Sequence, residues 1–282
     1  MNIDEWFQEE TQIPSLPHIF YEFKEAVDDP NRSFDDVAEI VSCDTGLTAR
    51  MLKIVNSAFF GFPSQIETIS HAIGIIGIQH LNDLVLSTVV MGCFKDIPSE
   101  TIDMESFWKH SLACALTSKI LATKMEVPNP ERVFVSGLLH DIGRLIICSK
   151  ASLETLKIFF LMNNQNLELQ MAEREALGFD HADVGARLLK EWNLPKIHEE
   201  IIQYHHNPSQ ASTFPVECAI VHVADILVNS LELGTSGETV AQEFDEGASQ
   251  KTNIQDESFR SLLVDEVEKQ FDETFQLFFQ PA

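Results

Sequence analysis

Apolar residues along this chain recur mostly three or four positions apart, the spacing of a helix that buries one face. In TGLTARMLKIVNSAFFG, Leu47, Met51, Val55 and Phe59 fall four apart and define one such face, which Gly61 and Pro63 bring to an end. Ahead of it, IPSLPHIF carries two prolines and predicts a turn, then a helix from near Ile19 that stops at Pro30. SFDDVAEIVSCD predicts a helix with Ser33 as N-cap and acidic residues in its first turn. TISHAIGIIGIQHLNDLVLSTVVMGCF predicts two more, with Thr68 capping the first and Gly74 and Gly77 marking close packing or a bend. Residues 1–15 read as a short helix or an extended arm. No period-two alternation stands out anywhere, so the first 95 residues predict a small helical bundle.

FKDIPSETID, with Pro98, reads as a linker. Beyond it the periodicity predicts helices near 103–125, 130–148, 152–165, 167–177, 181–192, 195–206 and 214–233, Pro195 suiting the first turn of its helix. Residues 234–256 are rich in Gly, Ser, Thr and Glu and are expected to be loose. SFRSLLVDEVEKQFDETFQLFF regains a helical stripe of Phe259, Leu262, Leu263, Val267, Phe271, Phe275 and Phe278, expected to dock on the body or on a partner. The expected fold is all-α and two-lobed, divided as 1–97, 98–233 and 234–282.

One stretch carries the chemistry. GLLHDIGRLII, from Gly137 to Ile147, is apolar almost throughout and predicts a single buried helix. An ionised Asp141 there is costly without a cation or hydrogen-bond donors beside it. A protonated histidine, Arg144 or a metal ion would answer that need, and Arg144, one turn along, would share a side with His140 and Asp141. His110, His181, His205, His206 and Asp225 each lie in or beside another predicted helix. Imidazoles and carboxylates from several helices are a common way to build a one- or two-metal site. Such mixed donors suit iron, manganese, nickel or zinc without choosing among them. The plainer alternative joins the same side chains by hydrogen bonds, with Asp141 and Asp225 neutralised by histidine or arginine. Asp180 precedes His181, which would then serve only at a helix start. His222 reads as a surface or supporting group. His18, His71, His80 and His198 read as ordinary surface or core residues.

The 282 residues suffice for a real core. The net charge of -25, from 44 acidic and 19 basic residues, argues against a nucleic-acid duplex or an anionic membrane as partner. It leaves room for a protein with a basic face. MNIDEWFQEE shows no signal-peptide pattern, and no apolar run reaches the length of a membrane span. Cys43, Cys93, Cys114, Cys148 and Cys218 form no CxxC pair and lie in apolar surroundings, as expected of reduced core thiols in a cytoplasm.

The ordered set His110, His140–Asp141, His181, His205–His206, Asp225 resembles the HD superfamily of metal-dependent phosphohydrolases, and more closely the two-metal arrangement of HD-GYP cyclic-dinucleotide phosphodiesterases. LPHIFYEFKEAV, IVSCDTGLTARMLKIVNSAFFG and ISHAIGIIGIQHLNDLVL resemble a narrower group, the HDOD family of bacterial signalling proteins, over about residues 12 to 230. That resemblance implies an N-terminal helical lobe packed on an HD-like lobe, in a family whose members act mainly as regulatory or interaction modules and have often lost the metal ligands. This chain keeps the whole set. His110, His140, Asp141 and Asp225 would hold one divalent ion, and His181 with one or both of His205 and His206 a second. It departs from HD-GYP enzymes in having HHNPSQAS after the histidine pair and no GYP segment. Asn207 and Ser106 stand where acidic residues are expected, and Arg144 where a lysine is usual. Asn56 and Ser57 match the HDOD lobe and read as a turn device. The expectation is a bacterial signalling module with one or two divalent metals and a signalling protein partner. The alternative is a phosphohydrolase on a nucleotide or other phosphoester, with Asp141 and Arg144 catalytic and Arg144 clamping phosphate.

Overall fold

The computed structural model describes residues 2–8, 13–57, 60, 62, 64–94, 97, 101–150, 152–240 and 242–279, side chains at 150 and 152 aside. In chain order the helices are α1 (Ile3–Gln8), α2 (His18–Asp28), α3 (Phe34–Ser42), α4 (Thr45–Val55), α5 (Ile69–Ile76), α6 (Ile78–Gly92), α7 (Met104–Lys124) and α8 (Pro130–Leu139). They continue as α9 (Ile142–Lys150), α10 (Ser152–Gln165), α11 (Leu169–Leu177), α12 (His181–Glu191), α13 (Lys196–Tyr204), α14 (Pro215–Ser230), α15 (Glu246–Thr252) and α16 (Glu257–Phe279). Apart from a short 3-10 turn at Pro208–Gln210, every regular element among the described residues is an α-helix, as the periodicity predicts. The contacts divide the chain into two units, 1–13 with 96–267 and 14–95 with 268–282.

The smaller unit holds α2 to α6. Ser33 and Asp36 form a reciprocal cap at the start of α3: the Asp36 amide donates to Ser33 Oγ at 3.2 Å and the Ser33 amide to Asp36 Oδ2 at 2.8 Å. Thr68 caps α5 by accepting from the His71 amide. Gly77 has φ +83, a left-handed conformation that favours glycine, and there α5 and α6 meet at a bend of 120°. Asn56 is a latch across the following turn, accepting from the Ile66 amide and donating to the Ile66 carbonyl, both at 2.7 Å. Phe20, Phe23, Val41, Met51 and Val55 are buried in this unit. Phe59, Gly61, Pro63 and Pro98, used above, lie outside the described residues.

In the larger unit α7 packs on α8 and α14, and α12 packs on α9 and α13. GLLHDIGRLII is two helices rather than one, broken at His140 and Asp141. The reason lies in its glycines. A Cβ at Gly137 would come within 3.0 Å of the α7 backbone at Ala115 and Cys114. One at Gly143 would lie 2.0 Å from the His181 carbonyl oxygen and 2.6 Å from the Gly185 nitrogen on α12. The first half lies against α7 and the second against α12, and the chain turns between them.

Described residues of 234–256 pack within the larger unit, unlike the loose segment expected. Gly234, at φ +81, lies against the Ser106 carbonyl and the His110 amide, where a Cβ would sit at 2.3 and 2.5 Å. The Thr235 amide donates to Ser106. Ser236, Ala248, Ser249, Thr252 and Ile254 are buried, and Asp245 caps α15. Some polar residues here make backbone-directed bonds, while others, Thr239, Glu243 and Gln250 among them, are exposed. In α16, Leu263 and Val267 are buried in the larger unit and Phe271 and Phe278 in the smaller, whereas Leu262 departs from the predicted stripe at 63 % exposure. No single helix among the described residues is long and apolar enough to cross a membrane.

Candidate metal centre

Five elements of the larger unit aim side chains at one interior point. His110 comes from α7, His140 and Asp141 from the corner between α8 and α9, His181 from the first turn of α12, His205 and His206 from the end of α13, and Asp225 from α14. The start of α12 is held by Asp180, which accepts from the Asp183 amide at 2.9 Å while Asp183 accepts from the Asp180 amide, so capping falls to Asp180 and His181 is free to point inward. Six of the seven are buried; His206 is partly exposed.

Asp141 is shared. Its Oδ2 lies 3.2 Å from His140 Nε2 and 3.7 Å from His110 Nε2. Its Oδ1 lies 3.1 Å from His181 Nε2 and 3.7 Å from His205 Nε2. On the first side Asp225 Oδ1 adds contacts of 3.1 Å to His110 Nε2 and 3.7 Å to His140 Nε2. On the second, His206 Nε2 lies 2.8 Å from His181 Nε2. Two sets of donor atoms result, each within 4.8 Å of one another: His110, Cys114, His140 and Asp225, and then Asp141, His181, His205 and His206.

The far side of the ring sets the tautomer of three of the five imidazoles, whereas His110 Nδ1 is buried without a hydrogen-bond partner among the described residues. His140 Nδ1 donates to the Gly137 carbonyl and His205 Nδ1 to the Ile202 carbonyl, both at 2.7 Å, and His181 Nδ1 donates to Glu173 Oε2 at 2.5 Å. Each Nε2 is left to face the carboxylates, the arrangement of metal-bound imidazoles. Protons alone serve the cluster poorly. His205 Nε2 is buried with no hydrogen-bond partner, and two pairs of imidazole nitrogens face each other, His110 with His140 at 3.4 Å and His181 with His206. The donor set therefore fits divalent cations. Burial opposes charge on His140, but Asp141 and Asp225 outweigh it and hold the imidazolium up to about 10. Burial likewise opposes the charged Asp141, but His140 and His181 keep it well below the carboxylate range. Burial, then His205 and His181, push His206 well down.

Arg144 takes a place other than the one expected. With the chain turned at Asp141, its guanidinium is 1 % exposed, Nη1 bonds Glu173 Oε1 at 2.8 Å and Nε donates to the Ser236 carbonyl at 3.1 Å. Its ion-pair partner is Glu173, not Asp141, and a phosphate clamp would have to break that pair. Glu173 was missed by sequence reasoning. It is wholly buried on α11 and holds Arg144 with one oxygen and His181 with the other, accepting from both the His181 ring and amide. The signal was present: Glu173 sits midway between Leu169 and Leu177 on an apolar face, interrupting it as Asp141 does. Asn229, also missed, donates to Asp225 Oδ1 at 2.9 Å. His222 is buried, donating to the His205 carbonyl and accepting from the Asp245 amide. His198 is a core residue bonded to Ser136, as expected.

The family model of the HDOD domain matches residues 13–208. The chain belongs to the HDOD domain family. An uncharacterised protein of Treponema pallidum (strain Nichols) is 25% identical over 230 residues, 81% of this chain and 44% of its own length, so the chain spans less than half of that relative. An HDOD domain protein of unknown function from Geobacter sulfurreducens shares the fold, with a TM-score of 0.77 at 24% identity over 99% of this chain and 96% of its own. So does a candidate phosphohydrolase from Shewanella amazonensis SB2B, with a TM-score of 0.75 at 24% identity over 98% and 97%. A candidate metal-dependent phosphohydrolase from the same organism has a TM-score of 0.71 at 17% identity over 98% and 96%.

In this HDOD chain the side chains of the cluster other than His206 are buried. The segment after α14 runs past it, with Ser236 on Arg144 and Glu238 accepting from the Leu169 amide at 3.3 Å. Burial first, then Asp225, push Glu238 up to about 8. Two clefts of about 870 and 800 Å³ lie in the same unit, and none of the seven residues lines either. The second is lined by Glu238 and by Asn229, which donates to Asp225.

Proposed function

We propose that this chain is a bacterial, cytoplasmic signalling module of the HDOD type that holds divalent metal at two adjacent positions and acts through contacts with a protein partner. The observation that carries the metal reading is the shared Asp141, whose two oxygens each face a separate group of buried imidazoles. A divalent cation at either position supplies the fixed positive charge that two carboxylates in a dry interior require. His110, His140 and Asp225 would hold the first with Asp141, and His181, His205 and His206 the second. The burial of six of the seven side chains supports a regulatory use of the site over turnover. An exposed apolar row of Leu153, Leu156 and Phe160 on α10 with Met171 on α11 supports docking of a protein.

A second reading, a phosphohydrolase acting on a nucleotide or other phosphoester, draws support from the partly exposed His206 and from the cleft that reaches Asn229. Metal content of purified protein, wild type and Asp141→Ala, tests the shared part: the wild type retains metal and the variant loses it at both positions. Wild-type protein that takes up no divalent metal would end both readings. Hydrolysis of a generic phosphodiester to an alcohol and a phosphomonoester, abolished by Asp141→Ala, would replace the first reading with the second; no hydrolysis with any divalent metal favours the module.

A further inference from the structure

We infer that Cys114 is a sulfur ligand of the first metal position, which makes the two positions chemically unlike. This rests on the metal reading above and adds a donor of a different class. Cys114 lies four residues after His110 on α7, so both side chains leave the same face of the helix one turn apart. Its Sγ is 3.6 Å from His110 Nε2, the same nitrogen that faces Asp225 at 3.1 Å. Sγ, His110 Nε2, His140 Nε2 and an Asp225 oxygen all lie within 4.8 Å of one another, four donors from three elements.

Cys114 is fully buried on the helix face that carries His110. A thiolate also improves the charge balance. Imidazoles are neutral donors, so a Cys114 thiolate would add a third negative charge to Asp225 and the shared Asp141 against two divalent ions where water is excluded. The proton displaced as the metal–sulfur bond forms leaves to solvent buffer, and no electron is transferred. The second position has three imidazoles and the Asp141 oxygen, with no sulfur. Sulfur favours zinc, cobalt or ferrous iron at the first position over manganese or magnesium.

Cobalt(II) titrated into the metal-free full chain reads the donor directly. Wild type is expected to develop an intense near-ultraviolet sulfur-to-cobalt charge-transfer band. Cys114→Ser is expected to lose that band while still binding cobalt at the second position and keeping its helical circular dichroism. Cobalt bound by the wild type without the band, or a band that persists in Cys114→Ser, would overturn the sulfur ligand and leave the metal reading standing. No cobalt uptake at all would overturn both. X-ray absorption of the zinc-loaded wild type gives an answer that needs no variant: a sulfur neighbour at about 2.3 Å is expected, and a shell of nitrogen and oxygen alone would refute the inference.

Discussion

Glu173→Gln separates the two tasks that one buried carboxylate performs. Glu173 is fully buried and neutralises Arg144 at 2.8 Å while holding His181 Nδ1 at 2.5 Å. Removing its charge leaves the 1 % exposed guanidinium without its counter-charge, with the Ser236 carbonyl at 3.1 Å and the neutral amide oxygen of the new side chain as acceptors. Breaking one partner of such a pair costs about 3–5 kcal/mol. At roughly 2–4 °C per kcal/mol for a unit of this size, the variant should melt about 10 °C lower. The same change weakens the bond that orients His181, so metal affinity should fall about 10–100-fold at the second position. The paired replacement Arg144→Met with Glu173→Leu removes both charges, and stability should return to within about 1–2 kcal/mol of wild type. Metal affinity should not return, because His181 still lacks its acceptor. Urea melts followed by circular dichroism, with cobalt or zinc titration of all three proteins, make the comparison. The reasoning fails if Glu173→Gln costs less than about 1 kcal/mol, or if the double variant binds metal as tightly as wild type.

His198 is buried and bonded to Ser136; burial, then Arg132, push its pKa from 6.5 down to about 3. The unfolded chain therefore takes up a proton there before the folded one does. Stability is unaffected above 6.5 and falls as pH drops from 6.5 toward 3, by up to about 1.4 kcal/mol per pH unit. His198→Gln should show a correspondingly flatter pH dependence in denaturant melts, and an unchanged slope would refute the assignment. Gly143→Ala should destabilise by about 3 kcal/mol or more, because the atoms its methyl group meets are α12 backbone that cannot swing away. Metal analysis of that variant should show loss at His181 before loss at His110. Ser33→Ala removes the reciprocal cap of α3 and should cost about 1 kcal/mol, read as a shift in urea midpoint with no change in metal content.

Local signals marked most of the elements. Ser33 and Thr68 start their helices where a capping oxygen precedes an apolar period, because a cap depends on neighbours three residues away. The ring of candidate ligands was legible for a similar reason: a carboxylate inside an apolar run, as at Asp141 and Asp225, is costly wherever the helix packs. The same rule applied to α11 would have found Glu173. It was less useful at residues 234–256, where a polar composition suited either a solvated tail or a segment bonded to Ser106, Arg144 and His222.

Helical periodicity and the cost of buried charge are properties of short stretches, so the all-α class and a list of candidate ligands were already written in the order of residues. Direction is not local. The break between α8 and α9 exists because Gly137 and Gly143 lie against two different helices, and only that packing turns Asp141 toward both groups of imidazoles and Arg144 away toward Glu173. Which groups share a charge depends on distances between elements far apart in the chain, and those distances are set only when the helices pack.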